Sequence, residues 1–349
     1  MRPDGRSVRA PLFVVCALAA GAIPAAEDGE PEATVLAAGR AAMESGLADE
    51  ALALCLHGLE TYPASPALHH EAARALLDLA QPETAARHLE AALDVHPGHV
   101  PSLVMLALVR SEEGRLAEAA GLLAKAIELE PRNAAARHDL AVVEARRGNL
   151  EAAVAEFRRA GELAPKECKV KYGLGSALEK MGKLEEARAE LEAACSLDPS
   201  FPPSRYRLST VLFRLGRREE GERELRRFRE LKAAVHAHRG EALAKKKDLA
   251  GAAREYQRAV DALPDHAASH GRLGSLYLDL RDPARALVHA RRAAELDPSA
   301  LRYANLSWAA KENGDFTESL RWIQKAIEME PGRKEFLEQR TAILEALRR

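Results

Sequence analysis

Apolar residues along the chain follow a helical spacing, and the pattern repeats about every 34 residues. Within residues 168–201 one apolar stripe predicts a first helix, Gly182 interrupts it, and another stripe predicts a second helix. A proline then closes the unit. Proline recurs at this offset in most units, at Pro63, Pro97, Pro131, Pro165 and Pro199, and with small shifts at Pro264, Pro298 and Pro331. The sequence therefore predicts an all-α solenoid of stacked helical hairpins.

This period divides residues 32–333 into nine units, which begin at residues 32, 66, 100, 134, 168, 202, 233, 267 and 300. The eighth position is small in every unit: Gly39, Ala73, Ala107, Ala141, Gly175, Ser209, Gly240, Gly274 and Ser307. The twentieth position is small as well: Ala51, Ala85, Ala119, Ala153, Ala187, Gly221, Ala252, Ala286 and Ser319. Larger side chains would overpack a close helix contact, so these positions predict where the two helices of a unit nearly touch.

The units resemble the tetratricopeptide repeat family, whose helix-turn-helix units place small residues, alanine and proline at these offsets. The resemblance covers residues 32–333 and implies a right-handed superhelix of stacked antiparallel helix pairs. It also implies a noncatalytic scaffold that binds peptides on its concave side.

Two features depart from the family pattern. The bulky aromatic residue of the fourth position is mostly lost, and Tyr303 is the only tyrosine there. The sixth unit lacks its closing proline, so we expect an extended second helix and a short join into the seventh unit near Ala233.

The ends of the chain differ from the repeats. In residues 1–26, three arginines precede an apolar run at 10–23 and a stretch of small residues, which is the layout of a secretory signal peptide. The run is short for a membrane span. We therefore expect an exported protein, periplasmic or extracellular, with a retained signal anchor as the alternative. The Ala- and Arg-rich composition favours a bacterial source.

Residues 27–31 form a short acidic connector, and residues 334–349 predict a C-terminal capping helix. One side of that helix carries Phe336, Leu337, Ile343, Leu344 and Leu347, and the other side is charged. Arrays of this kind require a terminal unit with a polar outer face.

Charge and cysteine content exclude several classes of partner and site. The formal net charge is -2, and removal of residues 1–26, which carry +2, leaves -4. No nucleic-acid partner is therefore expected. Cys55, Cys168 and Cys195 remain after signal removal, and an odd number does not suggest a disulfide framework. Cys168 and Cys195 end up close in a helical hairpin, so they are either a pair or two free thiols.

No motif indicates catalysis. The sequence has no glycine-rich phosphate loop, no nucleophile signature and no His-Glu-x-x-His zinc motif. The spacings of His96 with His99 and of His266 with His270 lack further ligands at metal-binding distance in sequence. We therefore predict neither an enzyme, nor a cofactor, nor a metal site.

Charge along the first helices changes sign in blocks. Positions 2, 6, 9 and 13 of each first helix point away from the paired helix and line the concave surface in the family. Position 13 is acidic in units one to three, basic in units four to seven and acidic in units eight and nine. Residues 205–247 contain fourteen Lys or Arg and six Glu, a net charge of +8.

This basic block predicts a surface that binds an acidic peptide or protein, mainly through repeats five to seven. The candidate residues are Lys169, Tyr172, Lys180, Tyr206, Arg207, Arg214, His238 and Lys245. The competing interpretation is that the charge only keeps the helices soluble and that the two tyrosines pack between units. Trp308, with Asn305 and Arg272 nearby, is a second candidate contact unless it packs against the terminal helix.

Two functions are the main ones consistent with these patterns; a third, a reader of single-stranded nucleic acid through the basic groove, is opposed by the export signal and the acidic net charge. The first is a noncatalytic scaffold that holds a partner peptide in its groove. The alternative is a structural subunit of a cell-envelope assembly or export machine, which contacts partners through its convex face and ends. The sequence determines neither the identity of the partner nor the oligomeric state.

Overall fold

The computed structural model describes residues 31–348, which form 18 α-helices and no β-strand. The first ten helices are α1 (Glu32–Glu44), α2 (Ala48–Thr61), α3 (Pro66–Asp78), α4 (Pro82–Val95), α5 (Val100–Glu112), α6 (Leu116–Leu129), α7 (Ala134–Arg147), α8 (Leu150–Leu163), α9 (Cys168–Lys180) and α10 (Leu184–Leu197). The other eight are α11 (Pro202–Arg214), α12 (Arg218–Lys245), α13 (Leu249–Ala262), α14 (Ala267–Asp279), α15 (Pro283–Leu296), α16 (Ala300–Glu312), α17 (Phe316–Met329) and α18 (Lys334–Leu347). The predicted signal peptide lies outside the described residues.

The helices form two compact modules, an N-terminal module with α1–α10 and a C-terminal module with α11–α18. Within each module every helix packs against the helices before and after it in the chain. First helices of successive repeats also touch, for example α1 with α3 and α14 with α16. This is the packing of an all-α solenoid, so the predicted fold class is confirmed.

Positions 8 and 20 are the close contacts between the two helices of a repeat. Every residue at these positions is buried. A Cβ atom placed on Gly175 would lie 2.7 Å from Leu191 Cγ and 3.2 Å from the Ala187 carbonyl oxygen. In the last repeat Ser307 Oγ donates to the Ser319 carbonyl at 2.9 Å, and Ser319 Oγ donates to the Ser307 carbonyl at 2.8 Å. The small residues mark sites where the helix backbones nearly touch, as predicted.

The turn inside each repeat has a left-handed residue at position 15. Six repeats use glycine there, with φ between 74° and 88°. The other three use Ala80, Lys247 and Arg281, with φ of 57°, 63° and 61°. Residues with a Cβ atom adopt this conformation at a cost. The packing of the hairpin therefore imposes the turn even where glycine is absent.

Position 4 of the first helix faces position 23 of the second helix. In most repeats position 4 lacks the aromatic residue of the family pattern, and the side chain present there pairs with the side chain at position 23. In repeats four to seven it joins a cationic or imidazole group to a carboxylate: Arg137 with Glu156 at 2.8 Å, Lys171 with Glu190 at 2.8 Å, Arg205 with Glu224 at 2.9 Å and His236 with Glu255 at 2.8 Å. In the last repeat Tyr303 and Trp322 stack, with ring centroids 5.4 Å apart. The same interhelical position thus carries different chemistry in different repeats.

Repeats two and eight have histidine at both positions of this pair. The Nδ1 atoms of His69 and His88 lie 3.0 Å apart, as do those of His270 and His289. Nε2 of the first histidine in each pair lies 3.1 or 3.2 Å from the carbonyl oxygen of the proline that closes the preceding repeat. A carbonyl only accepts, so this Nε2 carries the proton and the second histidine donates from Nδ1. Burial lowers the pKa of His88 and His270, and it lowers the pKa of His289 to about 4.

The sixth and seventh repeats share one helix. α12 runs through 28 residues from Arg218 to Lys245, and Ala233 is fully buried in its middle. The predicted extension of the second helix is confirmed. The prediction of a short join near Ala233 is wrong, because the helix continues through this position and no turn separates the two repeats. Gly221 and Gly240 do not interrupt α12, since they are the small residues at positions 20 and 8 and lie against the rings of Phe213 and Tyr256.

The last helix buries fewer leucines than its sequence suggests. Phe336 and Ile343 of α18 are buried against the preceding helices. Leu337, Leu344 and Leu347 are 36%, 39% and 53% exposed. The predicted terminal helix is present, but its apolar residues spread over two sides of the helix, so only part of the predicted apolar side packs and three leucines face solvent.

No disulfide bond joins the three cysteines of the described residues. Cys55 is buried, and burial raises the pKa of its thiol to about 12. Cys168 Sγ donates to the Ala194 carbonyl at 3.4 Å. Of the two interpretations for Cys168 and Cys195, the structure has the one without a disulfide bond.

We predict that Ala187→Leu destabilises the N-terminal module by about 1–3 kcal/mol, because the added carbons meet the backbone of α9 near Gly175. The measurement is the midpoint of thermal unfolding followed by circular dichroism. Ala189→Leu is the matched control, since Ala189 is exposed on the same helix. Equal midpoints for the two variants would contradict the assigned repeat register.

We predict that acid destabilises the protein through the two histidine pairs. The folded-state pKa values of His88, His270 and His289 lie below the ordinary 6.5, so the unfolded chain binds protons more readily than the folded chain does. Stability should be complete above pH 6.5 and should fall as the pH drops towards about 4. The measurement is the loss of unfolding midpoint between about pH 7.5 and pH 5.

The control carries the arginine–glutamate pair of other repeats, as His69→Arg, His88→Glu, His270→Arg and His289→Glu. It should lose less stability over this range than the unsubstituted chain. His70, whose pKa burial lowers to about 4, is present in both proteins and cancels in the comparison. Identical pH dependence in the two proteins would show that the pairs do not titrate as described.

Candidate functional site

The predicted binding surface lies on the first helices of the repeats. We define the A-face as the side that carries positions 2, 6, 9 and 13, together with the adjoining position 5, on the first helix of each repeat. These helices are α1, α3, α5, α7, α9, α11, the second half of α12 (233–245), α14 and α16. All nine residues at position 13 are exposed. They are Glu44, Asp78, Glu112, Arg146, Lys180, Arg214, Lys245, Asp279 and Glu312. The blocks of charge read from the sequence are therefore displayed to solvent.

Three of the predicted binding residues belong to the N-terminal module and lie on α9. Lys169 and Lys180 are exposed, and Tyr172 is half-buried. Eleven residues make three helical turns, so the two lysines lie on the same side of α9. The Tyr172 carbonyl accepts a hydrogen bond from Ser176 Oγ at 2.8 Å. α9 thus presents two cations at its ends with a tyrosine between them.

Three more predicted residues lie on α11 in the C-terminal module. Tyr206 is 52% exposed, and its ring tilts against Phe228 of α12 with centroids 5.2 Å apart. Arg207 is half-buried, and Arg214 is exposed as the last residue of α11. The sequence left open whether Tyr206 contacts a partner or packs between helices. In the structure one part of its ring packs on Phe228 and another part faces solvent.

The last two predicted residues, His238 and Lys245, are exposed on the second half of α12. Lys245 Nζ lies 3.0 Å from Glu241 Oε1, and this pairing lowers the pKa of the Glu241 carboxyl. His236, two residues before His238, instead pairs with Glu255 between α12 and α13. The alternation shows which side of α12 packs and which side belongs to the A-face.

Much of the positive charge of residues 205–247 is paired within α12 and the turn before it. The pairs are Arg217 with Glu220 at 2.6 Å, Arg218 with Glu222 at 3.3 Å, Arg226 with Glu230 at 3.1 Å and Arg227 with Glu224 at 2.6 Å. Arg226 also lies 3.3 Å from Asp265. The arginines outside these pairs leave residues 205–247 with a positive electrostatic potential. The paired arginines contribute less to it, because a carboxylate lies next to each of them.

The first two repeats contain a charge cluster around a buried carboxylate, which was not predicted from the sequence. Glu71 is 3% exposed and accepts a hydrogen bond from Arg40 Nε at 2.7 Å, while Arg74 Nη2 lies 3.1 Å from its other oxygen. His70 Nδ1 and Arg74 Nε are buried without a hydrogen-bond partner among the described residues. The sequence did contain a signal for this cluster. Glu71 stands at position 6 of repeat two, Arg74 at position 9 of the same repeat and Arg40 at position 9 of the preceding repeat.

A cleft opens on the A-face of repeats eight and nine, between α14 and α16. It encloses about 210 Å³, and Arg302, Asn305 and Trp308 line its α16 side. Trp308 is 43% exposed, with Lys311 Nζ 4.7 Å from its ring centroid. Sequence reasoning grouped Trp308 and Asn305 with Arg272, whereas the residue that lines the cleft with them is Arg302.

Family models describe the same repeats. A tetratricopeptide repeat model matches residues 70–120, 206–267 and 272–334, which is half of the chain, and two further tetratricopeptide repeat models match residues 110–176 and 169–201. The chain belongs to the tetratricopeptide repeat family. Proteins of this family are generally noncatalytic and act as protein–protein interaction scaffolds, so tetratricopeptide repeat membership supports that class of function here.

Solved tetratricopeptide repeat structures also resemble parts of the chain. MamA from Desulfovibrio magneticus RS-1 is 19% identical over 48% of this chain and 96% of its own, with a TM-score of 0.46. The P58(IPK) TPR domain is 16% identical over 91% and 98%, with a TM-score of 0.31. The human IFIT1 dimer with PPP-AAAA is 19% identical over 86% and 73%, with a TM-score of 0.45. No curated protein matches the sequence.

The described part of the chain also limits other kinds of site. Residues 31–348 contain no helix that is long and apolar enough to cross a membrane. The same residues contain no group of three or more His, Cys, Asp or Glu side chains that could hold a metal ion. The A-face carries carboxylates at position 13 in repeats one to three, eight and nine, and guanidinium or ammonium groups at that position in repeats four to seven.

Proposed function

We propose that this tetratricopeptide repeat protein is a noncatalytic scaffold that binds an acidic segment of a partner protein on the A-face of its basic repeats. The observation that carries this proposal is the combination on α11. Tyr206 is 52% exposed there, with Arg207 beside it and Arg214 exposed at the end of the helix. α9 in the N-terminal module repeats the combination with Tyr172 between Lys169 and Lys180.

The chemistry of these groups suits an extended acidic chain. Arginine holds a carboxylate through two parallel hydrogen bonds, and lysine acts as a mobile point charge. Tyrosine adds rigid contact area at little cost in side-chain entropy. Charge matching of exposed groups mainly raises the association rate, so binding of this kind weakens as salt screens the surface.

We further propose that the chain acts outside the cytoplasm, in the periplasm or at the cell surface of a bacterium. The support for this is the layout of residues 1–26, with arginines, an apolar run and small residues in the order of a secretory signal. A retained signal anchor would place the same repeats on the outer side of a membrane.

A second function has a specific observation in its favour. Leu337, Leu344 and Leu347 are exposed on α18. An apolar stripe at the end of an array suits the alternative of a structural subunit in an envelope assembly, which contacts its partners through the ends rather than the A-face.

The test is affinity capture from envelope extract with residues 27–349, compared with the double variant Arg207→Glu and Arg214→Glu. The expected result is a captured protein that the double variant loses, because the reversed charges repel its carboxylates. Binding of that protein should also fall as NaCl rises from about 0.05 to 0.5 M. Circular dichroism of both proteins checks that the helices remain intact.

The matched control is Arg223→Glu with Arg229→Glu, which changes the net charge equally at exposed sites on the half of α12 that is a second helix. Arg207→Gln with Arg214→Gln removes the cations without reversing them, in case the half-buried Arg207 does not tolerate glutamate. If the Arg223/Arg229 variant also loses this protein, the loss of binding is explained by the change in net charge and not by the A-face. Retention by every variant would reject the A-face and favour contacts through α18.

A further inference from the structure

The cleft between α14 and α16 is hollow because small residues meet there. Gly271 and Gly274 of α14 lie opposite Ala290 and Ala293 of α15, and all four line the cavity of about 210 Å³. In repeats two, five and six the position of Gly271 carries a histidine or a tyrosine. Pockets for whole small-molecule ligands are about 300–1,000 Å³. The space therefore suits a single bulky side chain.

The walls of the cleft are apolar and aromatic. Leu278 lies on the α14 side and Trp308 on the α16 side. Ala290 and Ala293, at the base, are 5% and 1% exposed, so an entering side chain would be removed from water on several sides. An exposed tryptophan beside a dry hollow is the kind of residue that dominates binding energy at protein interfaces.

Arg302 supplies the positive charge of the cleft. Its guanidinium lies over Gly271 so closely that a Cβ atom there would overlap with Nη1. Its only ion-pair partner among the described residues is Asp297, with two contacts of 3.4 Å. Strong arginine–carboxylate bonds are about 2.7–2.9 Å long. The side chain is 19% exposed, and its contacts to Asp297 are longer than this range, so the guanidinium keeps donors for a second carboxylate.

Asn305 lies between Arg302 and Trp308 on the same side of α16, because the three residues are spaced three apart. A side-chain amide carries both a donor and an acceptor, which matches one peptide group of an extended chain. Asp279 lines the α14 side of the cleft and repels anions there. It therefore disfavours a polyanion such as a nucleic acid and leaves the α16 side, beside Arg302, as the place for a single carboxylate. The lining thus combines one guanidinium, one amide, one indole and an apolar hollow.

We infer that the cleft binds a bulky apolar side chain of an extended partner peptide, with an acidic residue next to it in the peptide sequence. The apolar side chain occupies the hollow over Ala290 and Ala293, and the neighbouring carboxylate pairs with Arg302. This inference rests on the proposed scaffold function and adds a second subsite to it. The subsite lies in repeats eight and nine, away from the residues of α11 and α12.

The test is selection of random peptides displayed on phage against the full chain, followed by fluorescence anisotropy with labelled copies of the selected peptides. Enriched peptides should carry Phe, Trp, Leu or Met beside Asp or Glu. Gly271→Ala should weaken their binding at least about tenfold, because the new Cβ displaces the Arg302 guanidinium and narrows the hollow. Trp308→Ala should weaken it similarly.

Gly271→Ala is chosen because it should not disturb folding. Alanine favours a helix more than glycine does, so Gly271→Ala should not unfold α14. Gly121→Ala is the matched change in α6, where a Cβ meets nothing within 4 Å, and it should leave binding unchanged. Arg302→Gln should abolish the preference for Asp over Asn in the peptide while the apolar preference remains.

The outcomes separate this inference from the proposed function. Peptides that lose binding to the Arg207/Arg214 double variant, but not to Gly271→Ala or Trp308→Ala, would support the basic A-face and overturn the cleft. The reverse result would support the cleft alone. The inference is also overturned if no enriched peptide distinguishes the unsubstituted chain from Gly271→Ala.

Discussion

The near contact of two helix backbones at positions 8 and 20 is the constraint on which the rest of the structure depends. It admits only glycine, alanine or serine, and in the last repeat Ser307 and Ser319 even hydrogen-bond to each other's backbone there. Once the two helices are this close, the connecting turn must be short, and position 15 takes the left-handed conformation even as Lys247 or Arg281. Because this contact is local, it can recur in every repeat whatever the neighbouring residues are.

Side chains farther from this contact are free to differ. The pair at positions 4 and 23 is ionic in Arg137 with Glu156, aromatic in Tyr303 with Trp322, and formed by two histidines in repeats two and eight. Each solution fills the same interhelical position, so the fold does not depend on one chemistry. The pair does determine how each repeat responds to salt and to pH, because ionic, aromatic and imidazole groups respond differently to both.

The A-face has still more freedom, since its residues do not hold the hairpin together. Position 13 changes sign along the array, Glu71 buries a carboxylate between two arginines, and Gly271 leaves a hollow where other repeats have a ring. Recognition chemistry can therefore vary from repeat to repeat at little cost in stability. The continuous helix α12 adds a mechanical link, because it makes the second helix of repeat six and the first helix of repeat seven a single element.

The sequence by itself determined the period, the helix class and the register, because the small residues at positions 8 and 20 are required by backbone contact within a single repeat. It also identified the exposed charge blocks, since helical spacing alone places Lys180, Arg214 and Lys245 on the open face. It did not determine contacts between residues that are 19 or more positions apart. Several features depend on how neighbouring helices pack. These are the histidine pairs, the cluster at Glu71, the exposure of the leucines on α18, and the presence in the cleft of Arg302 where the sequence suggested Arg272. Only the tertiary structure sets those distances, because a helical wheel gives the direction of a side chain but not the neighbour that it meets.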